Sequence, residues 1–350
     1  MTDTDYTEQI LTDVRAKIAA DDAVLSETKK RRNLVKRVAR QFEGALSTFD
    51  SGSLAHGTVN KPVSDGDCGV VLDRRTYPEL GPDGDDVPPN EIVDEMAETV
   101  IEGVRAEYPD ATAEVGKRSI VISFNEPLAD SDAEVEDQDP SVDLIVALTR
   151  ADGSGRWIPN TEAGDWDASD PEGHTALLNG PTRVERVHRA RTIRLAKSAI
   201  KTDEPPTITS FNTEALALEH VDDNDTIAKS LRDLFIDGAS DLEQGDTPDP
   251  VGVSDPIKLP EGVSREQAVA RLRELGDAVG EAIENADDEA VAHAALAKVF
   301  PDQLEDDVSE ADEVAAALKT GNAGKLTSAF GAGAGSLKRT AAYGGDRETP

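Results

Sequence analysis

Residues 52–73, "GSLAHGTVNKPVSDGDCGVVLD", run from a Gly-Ser pair to two aspartates, Asp65 and Asp67, that open an apolar run. In a strand, alternate side chains project to the same face, so these two carboxylates converge. Converging carboxylates repel each other unless a cation sits between them. The stretch therefore asks for a sheet whose first strand carries acid at its head.

An Asp-x-Asp pair alone means little here. The chain holds 71 Asp+Glu against 36 Lys+Arg, a net charge of −35 and a pI near 4.4. Pairs such as Asp85-Asp86, Asp222-Asp223 and Asp306-Asp307 show how common acid is. Such a balance keeps a protein soluble by self-repulsion and reads as adaptation to a salty cytoplasm, not as a clue to a basic partner. Overall acidity leaves no strong nucleic-acid signal. With 350 residues, one large or two ordinary domains are expected. The single cysteine, Cys68, excludes an intramolecular disulfide and reads as a small core residue. No apolar run approaches membrane-spanning length, and "MTDTDYTEQI" has neither a basic nor an apolar leader region, which predicts a soluble cytoplasmic protein without membrane partners.

Apolar spacing predicts helices over 5–20 and 23–46, then the strand "CGVVL", a Pro/Gly/Asp-rich loop over 74–90 and the amphipathic helix "NEIVDEMAETVIEGVRAEY". "RSIVISF" (118–124) and "SVDLIVAL" (141–148) read as strands, separated by an acidic connection. The first half is thus a mixed α/β sheet, and helical patterns dominate from residue 181 to about 318. The Gly/Ala/Ser/Thr-rich end, 319–350, reads as a disordered tail.

A third acid, Asp143, starts the strand "DLIVAL". Hairpin-related strands would bring it beside Asp65 and Asp67. Three carboxylates holding Mg²⁺ form the hard-oxygen arrangement that phosphoryl or nucleotidyl transfer needs. Gly52 lets backbone approach a phosphate closely, and Ser53 offers a hydroxyl. Positive charge is gathered in two places. Residues 29–40 carry Lys29, Lys30, Arg31, Arg32, Lys36, Arg37 and Arg40 with no acid. Residues 183–201 carry seven basic residues and one acid, Glu185; on one helix, Arg183, Arg186, Arg194, Lys197 and Lys201 fall within an arc of about 80°. Both clusters suggest nearby anions; the alternative is salt-bridging to the acidic surface. The five histidines, His56, His174, His188, His220 and His293, show no metal-ligand spacing.

The segments "GSLAHGTVNKPVSDGD", "SVDLIVAL", "GDWDASDP", "IRLAKSAIK" and "SFNTEALAL" occur in an order that resembles the bacterial and archaeal cGAS/DncV-like nucleotidyltransferases of the DNA polymerase beta superfamily, over roughly 23–300. The resemblance implies a fold of the α/β (α+β) class, with a mixed-sheet core joined to a helical second lobe and the active site in the cleft between. It implies the divisions 1–22 (N-terminal helix), 23–180 (nucleotidyltransferase core with its spine helix), 181–318 (helical lobe) and 319–350. Carried over by position, Asp65, Asp67 and Asp143 would be catalytic and hold two Mg²⁺ ions, with Mn²⁺ as a substitute. Gly52, Ser53, Lys197 and Ser210 would bind the nucleotide's phosphates, and Phe211 would stack on its base; core packing for Phe211 and helix capping for Ser210 are the alternatives. Trp166 and Pro171 read as structural. Gly66 stands where the family usually has an apolar residue, predicting a locally loosened strand. The implied activity is synthesis of a cyclic di- or oligonucleotide second messenger from ATP and other NTPs, in anti-phage defence. Two alternatives stay open: nucleotidyl transfer to an RNA end or protein, and a non-catalytic nucleotide sensor. The family's long N-terminal helix further implies that Lys29, Lys30, Arg31 and Arg32 form an anion-binding patch for a regulatory partner.

Overall fold

The apolar run after Asp65 folds as strand β2 (Asp65–Leu72), and its even-numbered side chains decide what covers it. Cys68, Val70 and Leu72 face helices α2 (Asp22–Ala39) and α4 (Asn90–Val104), which bring Leu34, Val35, Val38, Met96 and Val100 to one core. Strand β5 (Ser141–Thr149) adds Val142, Leu144, Val146 and Leu148 to the same layer. The computed structural model describes residues 5–128 and 138–304. The 319–350 tail and most of the acidic 129–139 segment lie outside them.

The described chain forms two units. One holds Ala20–Arg186 and Pro248–Ile257 and contains the sheet. The sheet runs β1 (Ala45–Asp50), β2, β5, β4 (Ile120–Ser123), β3 (Thr112–Val115), with the hairpin β6 (Arg156–Asn160) and β7 (Asp165–Ser169) attached to β5. It is mixed, as expected: β2 and β5 pair parallel, and the other ladders are antiparallel. Trp166 is buried in the core and donates its indole N–H to the Val87 carbonyl, and Pro171 occupies the first turn of α5 (Pro171–Asn179). The Cys68 thiol is fully buried and pushed far above its ordinary pKa by that burial.

Two expectations are corrected. Helix α2 stops at Ala39, six residues before β1 begins, and Gly44 at φ +72 turns the chain into that edge strand. Asp143 reaches the aspartates through a parallel pair, not a hairpin, because α4, β3 and β4 intervene.

The other unit is helical. It holds α1 (Tyr6–Lys17), α6 (Arg183–Ile200) from Val187 onward, α7 (Ser210–His220), α8 (Ile227–Gln244), α9 (Arg265–Glu284) and α10 (Glu289–Ala297). Helices α8 and α9 pack along their lengths and bury Leu231, Leu234, Phe235, Leu272, Leu275 and Val279. Helix α1 docks on this unit through Thr7, whose hydroxyl donates to the Ala282 carbonyl at 2.7 Å, and the Tyr6 amide, which donates to Ala286. Among the described residues, no helix is long and apolar enough to cross a membrane.

Candidate active site

The parallel register of β2 and β5 pairs Asp67 directly with Asp143 and Asp65 with Ser141. Alternation then puts Asp65, Asp67 and Asp143 on the face opposite the helix-covered core, each half-buried, Asp67 and Asp143 between buried neighbours and Asp65 next to the exposed Ser64. Farther along these strands the same face turns apolar, where Phe49, Val71, Ala147 and Ile158 form a small cluster. The acid is thus confined to one end of a sheet face. All three predicted catalytic residues are brought together.

Their electrostatics are strained. Asp143 is held above the ordinary carboxylate pKa, first by burial and then by the charge of Asp65; the Ser119 hydroxyl, donating at 3.2 Å, pulls it back down. Ser119 directly precedes β4, whose Val121 pairs with Asp143. The sequence offers no sign of this serine because its partner lies 24 residues away. Ser64 donates to Asp65 at 3.0 Å. Among the described residues, neither Asp65 nor Asp143 is paired with a lysine or arginine.

Gly52 opens the short helix α3 (Gly52–His56) at φ +68, and a Cβ built there would lie 1.7 Å from the Asp67 carboxylate. The backbone of the Gly-Ser turn is therefore pressed onto that acid, and the Ser51 amide donates to the Asp67 carbonyl at 3.2 Å. Ser53 is half-buried in the first turn of α3. Sequence reasoning missed what seats this turn. His56 at the end of α3 meets His174 of α5 edge-on, ring centroids 5.3 Å apart, and shares a hydrogen bond of 3.0 Å with Thr175.

Gly66 does not loosen its strand. It pairs in register with Val142, and an added Cβ would sit 3.0 Å from the Thr28 methyl of α2. A glycine here lets the helix approach β2 closely.

The expected anion-binding patch on α2 is not assembled. Arg31 is 1 % exposed and ion-pairs with Glu27 and Asp139. It also donates to the carbonyls of Glu126 and Pro140, and its guanidinium lies 4.6 Å from the Phe124 ring centroid. Arg32 is buried and shares Asp50 with Lys36, and Lys30 reaches Glu27 and the Tyr108 hydroxyl. Salt-bridging, the alternative named above, is what the structure shows for these cations.

The predicted basic stripe on α6 is split: Arg194 and Lys197 are buried, whereas Arg183, Arg186 and Lys201 are exposed. The Lys197 ammonium donates to Glu214 of α7 at 2.6 Å, which ties it to the first turns of the helix that starts with Ser210 and Phe211. Thr209, not Ser210, is the N-cap, in a reciprocal box with Asn212. Ser210 and Phe211 are exposed, so the capping and core alternatives fall away for both.

No family model matches the chain, and no curated protein matches it. Solved structures do. CdnC of E. coli with ATP is 15% identical at a TM-score of 0.61, over 86% of this chain and 98% of that one. The CD-NTase CdnG of Bradyrhizobium diazoefficiens, in complex with GTP, is 15% identical at 0.61, over 88% and 99%. The DncV cyclic AMP-GMP synthase of Vibrio cholerae, bound to the linear intermediate pppA(3′,5′)pG, is 13% identical at 0.53, over 85% and 87%. The chain has the fold of these proteins.

Proposed function

We propose that this chain is a divalent-cation-dependent nucleotidyltransferase that joins NTPs into a cyclic di- or oligonucleotide messenger for anti-phage signalling. One observation carries the reading: Asp67 and Asp143 stand opposite each other in register, with Asp65 on the same face and, among the described residues, no basic side chain on Asp65 or Asp143. Three crowded carboxylates, one resisting ionisation, are a donor set that suits hard cations. Two Mg²⁺ or Mn²⁺ ions would be held by Asp65, Asp67 and Asp143; when bound they acidify an attacking ribose hydroxyl and neutralise the departing pyrophosphate.

The chain's own residues do the positioning. The Ser119 hydroxyl fixes the Asp143 carboxylate, and the Gly52 turn, free of a Cβ, braces Asp67 and leaves backbone open to a phosphate. Ser53 supplies a hydroxyl donor to that phosphate. Ser210 offers a second hydroxyl, and the exposed Phe211 ring offers a stacking face for a base. Lys197, oriented by Glu214, contributes charge toward the triphosphate.

The test is pyrophosphate release from NTPs in Mg²⁺ at high salt. Release that disappears in Asp65→Ala/Asp67→Ala with the fold retained supports the proposal. Nucleotide binding without release identifies a sensor, and release only with added RNA or protein identifies a different acceptor; either overturns it.

A further inference from the structure

We infer that Asp50, gripped by Arg32 and Lys36 of α2, is a positioning residue for the acidic face: it sets the end of β1 so that the Gly52 turn holds Asp67 in place for a cation. The inference rests on the reading of that face given above.

Strand β1 has little of its own to hold it. It lies at the edge of the sheet beside β2, and of its six residues only Phe49 is buried. Helix α2 and the residue after it fasten the strand at both ends. Arg40 donates to the Ala45 carbonyl where the strand begins. Where it ends, Asp50 pairs with Cys68, so its side chain shares the face that α2 covers. There the Lys36 ammonium donates to one carboxylate oxygen at 2.6 Å, and the Arg32 guanidinium ion-pairs with the other at 3.1 Å. A cation on each oxygen fixes the carboxylate's rotation as well as its place.

This tie leads straight to Asp67. Ser51, next in the chain, donates its amide to the Asp67 carbonyl at 3.2 Å, and Gly52 presses on the Asp67 carboxylate. Arg32 is 7 % exposed, and its Nε and Nη1 are shielded from solvent with no acceptor. Among the described residues, Asp50 is the carboxylate that neutralises it. Moving the strand end away from α2 would leave a buried charge uncompensated, so the arrangement resists displacement. An exposed ion pair would supply no such stiffness.

The experiment titrates Mn²⁺ into the full chain at high salt, reading the free ion by electron paramagnetic resonance, beside pyrophosphate release and thermal melts. Asp65→Ala/Asp67→Ala defines the share of Mn²⁺ that the acidic face holds. Lys36→Met is expected to weaken that share severalfold and to lower kcat by about tenfold or more, with KM for NTP unchanged. Lys36→Arg, which keeps a cation on Asp50, should restore both. Asp50→Asn should behave as Lys36→Met does; if the uncompensated Arg32 unfolds it, Lys36→Met, which leaves the Arg32 pair in place, decides. Val38→Ala is the control, because it opens the core on the same helix without touching Asp50. It should lower Tm at least as much as Lys36→Met yet keep Mn²⁺ affinity and kcat per folded molecule. Wild-type Mn²⁺ binding and turnover in Lys36→Met, or losses that Val38→Ala reproduces, overturn the inference and leave the acidic face standing. Undiminished Mn²⁺ binding in Asp65→Ala/Asp67→Ala instead overturns the reading of that face, and this inference with it.

Discussion

Gly52→Ala separates the acidic face from the stability of the fold. At φ +68 an alanine carries a left-handed strain of about 1–2 kcal/mol. Its Cβ would also lie 1.7 Å from the Asp67 carboxylate oxygen and 2.3 Å from its carbon, where real contacts essentially never fall under 3.0 Å. Either the carboxylate or the start of α3 must therefore move by about 1.3 Å, the difference between 3.0 and 1.7 Å. Asp67 is half-buried, so it swings away at modest cost, and Tm should fall by about 2–8 °C. Catalysis is less forgiving, because a misplacement of about 1 Å costs on the order of 10²-fold. Gly153→Ala is the control: φ is +80 there, and nothing lies within 4 Å of the added Cβ, so it carries the strain alone. Pyrophosphate release and thermal melts of both variants decide the matter. The expected outcome is two similar melts with only Gly52→Ala inactive. Gly52→Ala within threefold of wild type would refute the argument that this turn braces a catalytic acid.

Other outcomes follow from the same geometry. Burial and Asp65 raise the Asp143 pKa, so ionising Asp143 opposes folding. Metal-free stability should fall as pH rises from the ordinary carboxylate range through that higher value, whereas Asp143→Asn in EDTA should show a flatter profile and equal or exceed wild type at pH 7. Parallel pH profiles in denaturant melts would contradict this. Arg31→Met strands Asp139 and two carbonyls and takes one of two cations from Glu27, and should cost about 3–5 kcal/mol in urea unfolding; a loss under 1 kcal/mol would mean these contacts are dispensable. Lys197→Ala should also destabilise, because it removes the ammonium that neutralises the buried Glu214 carboxylate, while Lys197→Met/Glu214→Leu should recover stability yet keep a raised KM for NTP. A wild-type KM in that double variant would confine Lys197 to a structural ion pair.

What the sequence made legible was the part governed by short periodicities. Asp65, Asp67 and Asp143 head apolar strands, and a period of two puts them on the open face once α2 and α4 claim the other. The direction of pairing was not legible, because hairpin and crossover present the same three acids. Strand β1 is half-exposed at the sheet edge, and β3 has four residues, so neither shows a clear alternation. The fate of the α2 cations was hidden for another reason. Arg31 finds Asp139 across 108 residues, and His56 meets Thr175 across 119, distances at which charge patterning and motif spacing carry no signal. Gly66 looked like a defect because only the packed helix explains it.

The most direct measurement supplies the protein with all four labelled NTPs and Mg²⁺ in high salt, treats the mixture with phosphatase and resolves what survives. The account predicts a phosphatase-resistant nucleotide product with pyrophosphate released in step, absent from Asp65→Ala/Asp67→Ala. Complete digestion to nucleosides, or label appearing only in added RNA or protein, would contradict it.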